Sequence, residues 1–419
     1  MTDPKRRKFL QYSAAIGGAI PLTGCGGGGG ATAEPVAAAA AATSDLPPTS
    51  DIAGVIKLPT TPVTPKPAPA PAPAPSPIVA SATLGMATGA MQFSLISPKN
   101  QAQAPFCVGF AFKRGDIPAG SSVGSSLSAF QVTPRTTWPD GSLKFAQLAG
   151  VATLTANTLQ TVRLRVISTA AATGTPLSLA DLKKTGLTAE VGAGTLGTAS
   201  FGAADWDAPL NTWVSGAQMS SWIFRKPVGS DAHLTAWLEV RLFAGGAVEV
   251  LPWIENGYLN VAGPTSKSAT YTFKINGNQR FSAAINLPHH CRTPLISGTA
   301  LSYWLGDDPA VTPRHDLAYL QATEQVPTYG ARVAPSAPVA QRLLASDTPL
   351  AQGNFTYDAD AMPSSGFQEP IGLLPQHDVL YLTCDSETTF GAVVRNGYAA
   401  GRYAIHYRDE KTQRPLRFS

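Results

Sequence analysis

The sequence predicts a mainly β protein, a barrel or sandwich, followed by a partial α-helical region and preceded by a disordered linker. Three observations carry this. From about Ala80 to Asn286, short apolar or alternating runs are broken by Gly, Pro, Asp and Ser, with no long helical pattern. The 419 residues include 39 glycines and 36 prolines but only 14% charged residues, a mix that favours strands and turns. Beyond about Pro288 the apolar spacing moves toward the helical period.

The chain begins with Lys5-Arg6-Arg7-Lys8-Phe9-Leu10, then a short stretch rich in Ala and Gly from Tyr12 to Leu22. A charged start, a weakly apolar middle and a small-residue end are the three parts of a secretory signal. The middle is too short to span a bilayer, which takes about 20 apolar residues. The Arg6-Arg7 pair resembles the twin-arginine export signal, and Leu22-Thr23-Gly24-Cys25 resembles a bacterial lipobox. Residues 1–25 thus read as an export address that leaves a lipid on Cys25. The implied partners are the twin-arginine machinery and a bacterial membrane, and the implied location is extracytoplasmic.

Residues 26–79 read as a spacer. Gly26 to Gly30 is an uninterrupted glycine run, and Pro59 to Pro77 is dense in proline. Such a segment takes polyproline II and extends about 3.1 Å per residue.

Residues 80–287 read as the β domain. Strands are predicted over Phe106–Phe112, Phe130–Thr133, Leu143–Leu148, Gln160–Ile167, Leu234–Phe243, Val248–Ile254, Ala269–Ile275 and Phe281–Ile285. Trp138-Pro139-Asp140-Gly141-Ser142 predicts a hairpin turn, since Pro fixes one corner and Gly accepts positive φ at the next. Trp138 reads as core packing before sugar platform. Residues 288–419 read as a helical region, with helical spacing at Asp316–Leu320, Val339–Leu344, Val379–Cys384 and Phe390–Ala400. The charged run from Arg408 to Ser419 reads as the middle of a loop, so this region is expected to be an incomplete helical domain.

Charge argues against nucleic acid. The net charge is +4, and residues 1–24 supply Lys5, Arg6, Arg7 and Lys8 against Asp3, leaving a mature chain near +1. Apart from Cys25, the cysteines are Cys107, Cys291 and Cys384, without CxxC spacing. They read as small buried residues, with at most one disulfide among them. No metal spacing and no cofactor motif survives inspection. Gly192-Ala193-Gly194-Thr195-Leu196-Gly197 matches GxGxxG, but no helix is predicted after it, as a dinucleotide site requires. Gly120-Ser121-Ser122-Val123-Gly124 matches GxSxG but reads as a loop, whereas a nucleophile elbow joins a strand to a helix.

Two segments carry candidate chemistry. Trp253-Ile254-Glu255-Asn256-Gly257-Tyr258 mixes aromatic rings, which stack on sugars, with polar groups that bind hydroxyls. Trp253, Glu255 and Asn256 are the candidate binding residues there. His289-His290-Cys291-Arg292 places two histidines beside a cation at the junction of the β and helical regions. If this segment were a strand, His289 and His290 would face opposite ways.

The run Val108-Gly109-Phe110-Ala111-Phe112-Lys113-Arg114-Gly115-Asp116-Ile117-Pro118, and Gln131 through Trp138-Pro139-Asp140-Gly141-Ser142-Leu143-Lys144, together resemble the N-terminal RIFT-type barrel domain of the exo-rhamnogalacturonan lyase family and its bacterial relatives. The resemblance implies a barrel followed by an α/α toroid, most of which is expected to be missing here. It also implies β-elimination at a uronic acid, with an acidic polysaccharide as partner. That reaction needs a cation for the carboxylate, a base for the C5 proton and an acid for the leaving oxygen. Residue type and position nominate Arg292 as cation, His290 or His289 as base, and Tyr303 or Tyr329 as acid. Lys144, at the end of the motif, is the alternative cation. The second reading is a non-catalytic carbohydrate-binding or envelope scaffold module.

Overall fold

The fold was obtained as a computed structural model, which describes residues 89–168, 174–259, 265–297, 300–327, 338, 374, 376–384, 387–399, 404–412 and 414–416. Cys25, the 26–79 spacer, Tyr329 and the Val339–Leu344 helix lie outside these residues. The described chain is mainly β with few helices. No helix among the described residues is long and apolar enough to cross a membrane.

The described residues begin with six strands: β1 (Gln92–Ile96), β2 (Gln101–Ala111), β3 (Ser121–Ser125), β4 (Phe130–Thr137), β5 (Leu143–Leu154) and β6 (Gln160–Ser168). The short helix α1 (Leu179–Lys184) precedes β7 (Ala189–Ala193), β8 (Thr198–Phe201), β9 (Asn211–Val214) and β10 (Met219–Val228). Then come β11 (Asp231–Phe243), β12 (Val248–Asn256), β13 (Lys267–Ile275), β14 (Asn278–Leu287), β15 (Cys291–Pro294), β16 (Tyr303–Trp304) and β17 (Thr312–His315). Among the described residues the helices α2 (Leu317–Ala322), α3 (Gln376–Cys384) and α4 (Glu387–Ala399) follow.

Among the described residues the strands form four antiparallel sheets around two main cores. Sheets β17-β1-β6-β3 and β2-β5-β4 enclose Phe93, Phe106, Phe110, Phe112 and Leu148. Sheets β15-β12-β11-β10-β9 and β14-β13-β7-β8 enclose Trp206, Phe224, Leu238, Tyr271 and Phe273. Strand pairing continues past residue 287, because β15 joins β12 and β17 returns to β1. The buried Asp316 carboxylate fixes this return: it caps α2 through the Tyr319 amide and accepts from the amides of Gly89 and Ala90 and the Gln92 side chain. His315 is buried beside it. Its Nε2 donates to the Gly109 carbonyl (3.0 Å), so Nδ1 accepts from the Tyr381 hydroxyl (2.7 Å) in a neutral ring. Burial accordingly pulls the His315 pKa down.

Both glycine motifs resolve into β structure. The GxGxxG string is a hairpin corner between β7 and β8, with Gly194 and Gly197 at φ 54° and 112°. A Cβ on Gly197 would lie 2.5 Å from the Gly229 backbone, so glycine is needed there for close approach. The GxSxG string, expected as loop, is instead strand β3, because pairing with β6 outweighs its Ser/Gly composition. The hairpin at Trp138–Ser142 forms as predicted, with Gly141 at φ 83°. Helix α1 is not predicted by the apolar pattern; a Ser178–Asp181 capping box starts it.

Because each core is enclosed by its own pair of sheets, Phe110→Ala and Phe273→Ala are each expected to cost about 3–5 kcal/mol, measured by chemical denaturation.

Candidate functional site

Strand β11 is buried on both faces. Leu234, Ala236, Leu238, Val240 and Leu242 enter the second core. The alternate residues Thr235, Trp237 and Phe243 are buried as well. Period-two alternation thus gives this sheet an apolar face and a second face that mixes charge with aromatic rings.

Antiparallel register assembles that second face. Trp237 sits opposite Arg225 of β10 and Trp253 of β12, and Glu255 sits opposite Arg292 of β15. The guanidinium of Arg292 lies 4.6 Å from the Trp253 ring centre and 5.4 Å from that of Trp237. Arg225 and Arg408 approach the Trp237 ring at 5.4 and 4.8 Å. All four contacts lie within cation–π range. Tyr398 of α4 meets Trp253 edge-on at 5.9 Å.

Glu255, 1% exposed, anchors the C-terminal segment. Arg408 Nε donates to Oε1 at 2.8 Å and Nη2 to Oε2 at 3.2 Å. Burial alone would raise the Glu255 pKa. The Arg408 hydrogen bonds and the charges of Arg408, Arg292 and His406 outweigh it, holding the pKa below its ordinary 4.5. A Cβ at Gly257 would lie 2.6 Å from the same carboxylate, so glycine leaves room for it.

The histidine pair lies on the turn just before Arg292. In contrast to the alternation expected of a strand, the two rings stack with centres 3.6 Å apart. The reason is local: His290 adopts φ 63°, which breaks the extended geometry. His289 Nε2 donates to the Tyr258 carbonyl at 2.6 Å, and His290 Nδ1 to the His406 carbonyl at 3.2 Å. A carbonyl only accepts, so Nδ1 of His290 carries hydrogen. Burial, then the neighbouring His289, lowers the His290 pKa from its ordinary 6.5. Tyr407 packs on His290 with ring centres 4.3 Å apart, and His406 Nδ1 stands 4.0 Å from Glu255 Oε2.

The structure therefore brings together Trp253, Glu255, His289, His290 and Arg292. It separates the other nominees. Asn256 points to the core side, where its Nδ2 donates to the carbonyls of Thr265 and Leu287. Tyr303 pairs with Val250 and stacks on Phe273 in the second core, on the opposite sheet face from Arg292. Lys144 lies on β5 with its ammonium 4.6 Å over Trp138, among the strands of the first core. Arg225, Trp237, His406 and Arg408 were not nominated by the sequence. Trp237 was legible as a member of an alternating strand, but its partners come from long-range pairing.

Two clefts of about 310 Å³ lie elsewhere, one bordered by Lys99 and Trp304, the other by Glu190 and Lys274. Among the described residues no group of three or more His, Cys, Asp or Glu is placed to hold a metal ion. Cys107 is a free thiol, and Cys291 is buried at the start of β15. No protein-family model matches the chain, and no curated protein matches it.

Removing Arg408 leaves a buried carboxylate uncompensated, so Arg408→Ala is expected to cost about 3–5 kcal/mol by denaturation, with Glu255→Gln in that background recovering part of it. The folded state holds Glu255 below 4.5, so its stabilising contribution is complete above that value and is lost as pH falls through the depressed one. The acid loss of stability should therefore be shallower in Glu255→Gln than in the native chain.

Proposed function

We propose that this chain is an exported, lipid-anchored relative of the exo-rhamnogalacturonan lyases that grips an acidic polysaccharide at the cell envelope and cleaves it by β-elimination. One observation carries the reading: a cation, Arg292, lies over the rings of Trp253 and Trp237 immediately after a stacked pair of histidines. The aromatic surface suits a sugar ring, and the guanidinium suits a uronate carboxylate. The signal, the lipobox at Cys25 and the proline-rich spacer support a tethered location.

In this mechanism Arg292 draws charge from the carboxylate and so acidifies C5–H. His290 takes that proton, C4=C5 forms, and the C4–O bond breaks. The leaving oxygen takes a proton from an acid, and Tyr407, against the His290 ring, is the described tyrosine best placed to supply it. A second reading is a binding module without turnover. Its motivation is that Glu255 and Trp237 are almost fully covered, with Arg408 already seated on both.

The test is incubation of the full chain with rhamnogalacturonan and other uronate polymers, following unsaturated-product absorbance and binding together. Binding with turnover is expected. Arg292→Gln should weaken binding by roughly ten-fold, and His290→Ala should abolish absorbance while binding persists. The lowered His290 pKa puts the acid limb of the rate profile below pH 6.5, because the base must be unprotonated. Binding without absorbance selects the second reading; neither binding nor absorbance sinks both.

A further inference from the structure

Trp237 is 1% exposed, and among the described residues its indole N–H has no hydrogen-bond partner. A buried donor left unpaired is costly, and native folds rarely leave one without a use. Around this ring stand the guanidinium groups of Arg225, Arg292 and Arg408, on three different segments of chain. Glu255 engages Arg408 from one side through two hydrogen bonds. Arg225 is the direct partner of Trp237 across β10 and β11.

We infer that Trp237, Arg225 and Arg292 form an oxyanion-binding subsite, in which a carboxylate or sulfate accepts from the Trp237 indole N–H. The chemistry is a match of charge and of donor geometry. Guanidinium groups bind oxyanions through charge-assisted hydrogen bonds, and these strengthen where water is excluded. The stacked guanidinium groups are held in place by the aromatic ring and lose little freedom when an anion arrives. The inference deepens the proposed function, since a sugar acid held here would present its ring to Trp253. It needs only the anion, however, and not the elimination reaction.

The experiment follows indole N–H resonances of the ¹⁵N-labelled full chain while sodium galacturonate, sodium sulfate, galactose or sodium chloride is added at matched ionic strength. The Trp237 peak is identified by its loss in Trp237→Phe. Galacturonate and sulfate are expected to move this peak saturably, while galactose and chloride leave it in place. Arg225→Gln, which keeps the indole, should weaken the response roughly ten-fold and serves alone if Trp237→Phe fails to fold. No saturable shift with either oxyanion, or an equal shift with chloride, overturns the inference. A shift with sulfate and galacturonate in a chain that neither binds nor cleaves uronate polymers upholds the subsite and removes the polysaccharide reading. A shift with sulfate alone upholds the subsite as one for inorganic oxyanions.

Discussion

The buried pairing of Glu255 with Arg408 is the constraint on which the arrangement of the site depends. A carboxylate at 1% exposure is tolerable only with a partner that supplies both charge and directed hydrogen bonds. Arg408 supplies them from a segment 153 residues away in sequence. Its backbone is held too, since its amide donates to the Gly257 carbonyl and its own carbonyl accepts from Leu259. Once Arg408 is fixed, the preceding residues are fixed with it. The His406 carbonyl meets His290, the His406 amide donates to the His290 carbonyl, and Tyr407 covers the imidazole. A buried ion pair gains little net stability over an apolar pair, so its consequence here is positional.

The same logic extends along the sheet. Burying a strand on both faces usually calls for two apolar sets of side chains, yet β11 and β12 carry charge on one of theirs. Arg241 resolves the excess by donating to Glu239 at 2.7 Å and to Glu249 at 3.0 Å. Burial would draw its pKa down; Glu239 and then Glu249 reverse this and keep it charged. Charges fixed in this way, away from water, act on one another and on a ligand more strongly than they would at the surface. A polar sheet face of this kind is costly as a core and useful as a binding surface.

How much of this was legible depended on range in sequence. The alternation of β11 and the turn at Trp138–Ser142 are local patterns, and both survive folding as read. Helices α2, α3 and α4 were legible from spacing alone. Strands β1, β3, β7, β8 and β9 have four or five residues each, too few for a period to stand out, and they exist because neighbours pair with them. In the site, Trp253, Glu255 and Arg292 were found because the chain writes them in dense local groups. Trp237 and Arg408 join through register and a distant return of the chain, which single-sequence periodicity does not encode. Tyr303 shows the opposite error: proximity in sequence suggested a shared site, but its pairing with Val250 puts it on the far side of the sheet.

The histidine turn shows what one backbone residue can decide. A non-glycine residue at φ 63° is disfavoured, and structures hold such residues where surrounding bonds over-determine them. At His290 those bonds are the donation of its amide to Asn256, at 2.6 Å, and the acceptance of the His406 amide by its carbonyl, at 3.0 Å. The departure from extended geometry stacks two imidazoles that a regular strand would have sent to opposite faces. Two rings at 3.6 Å repel one another when both are protonated, which favours a neutral ring and lowers the His290 pKa beyond what burial does. The chain then enters β15, whose second residue is Arg292, opposite Glu255. The left-handed turn therefore does two things in three residues: it stacks the imidazoles, which lowers the His290 pKa, and it delivers a cation to the aromatic face. On the proposed reading those are the base and the cation of an elimination, set two residues apart in the chain by the same left-handed turn.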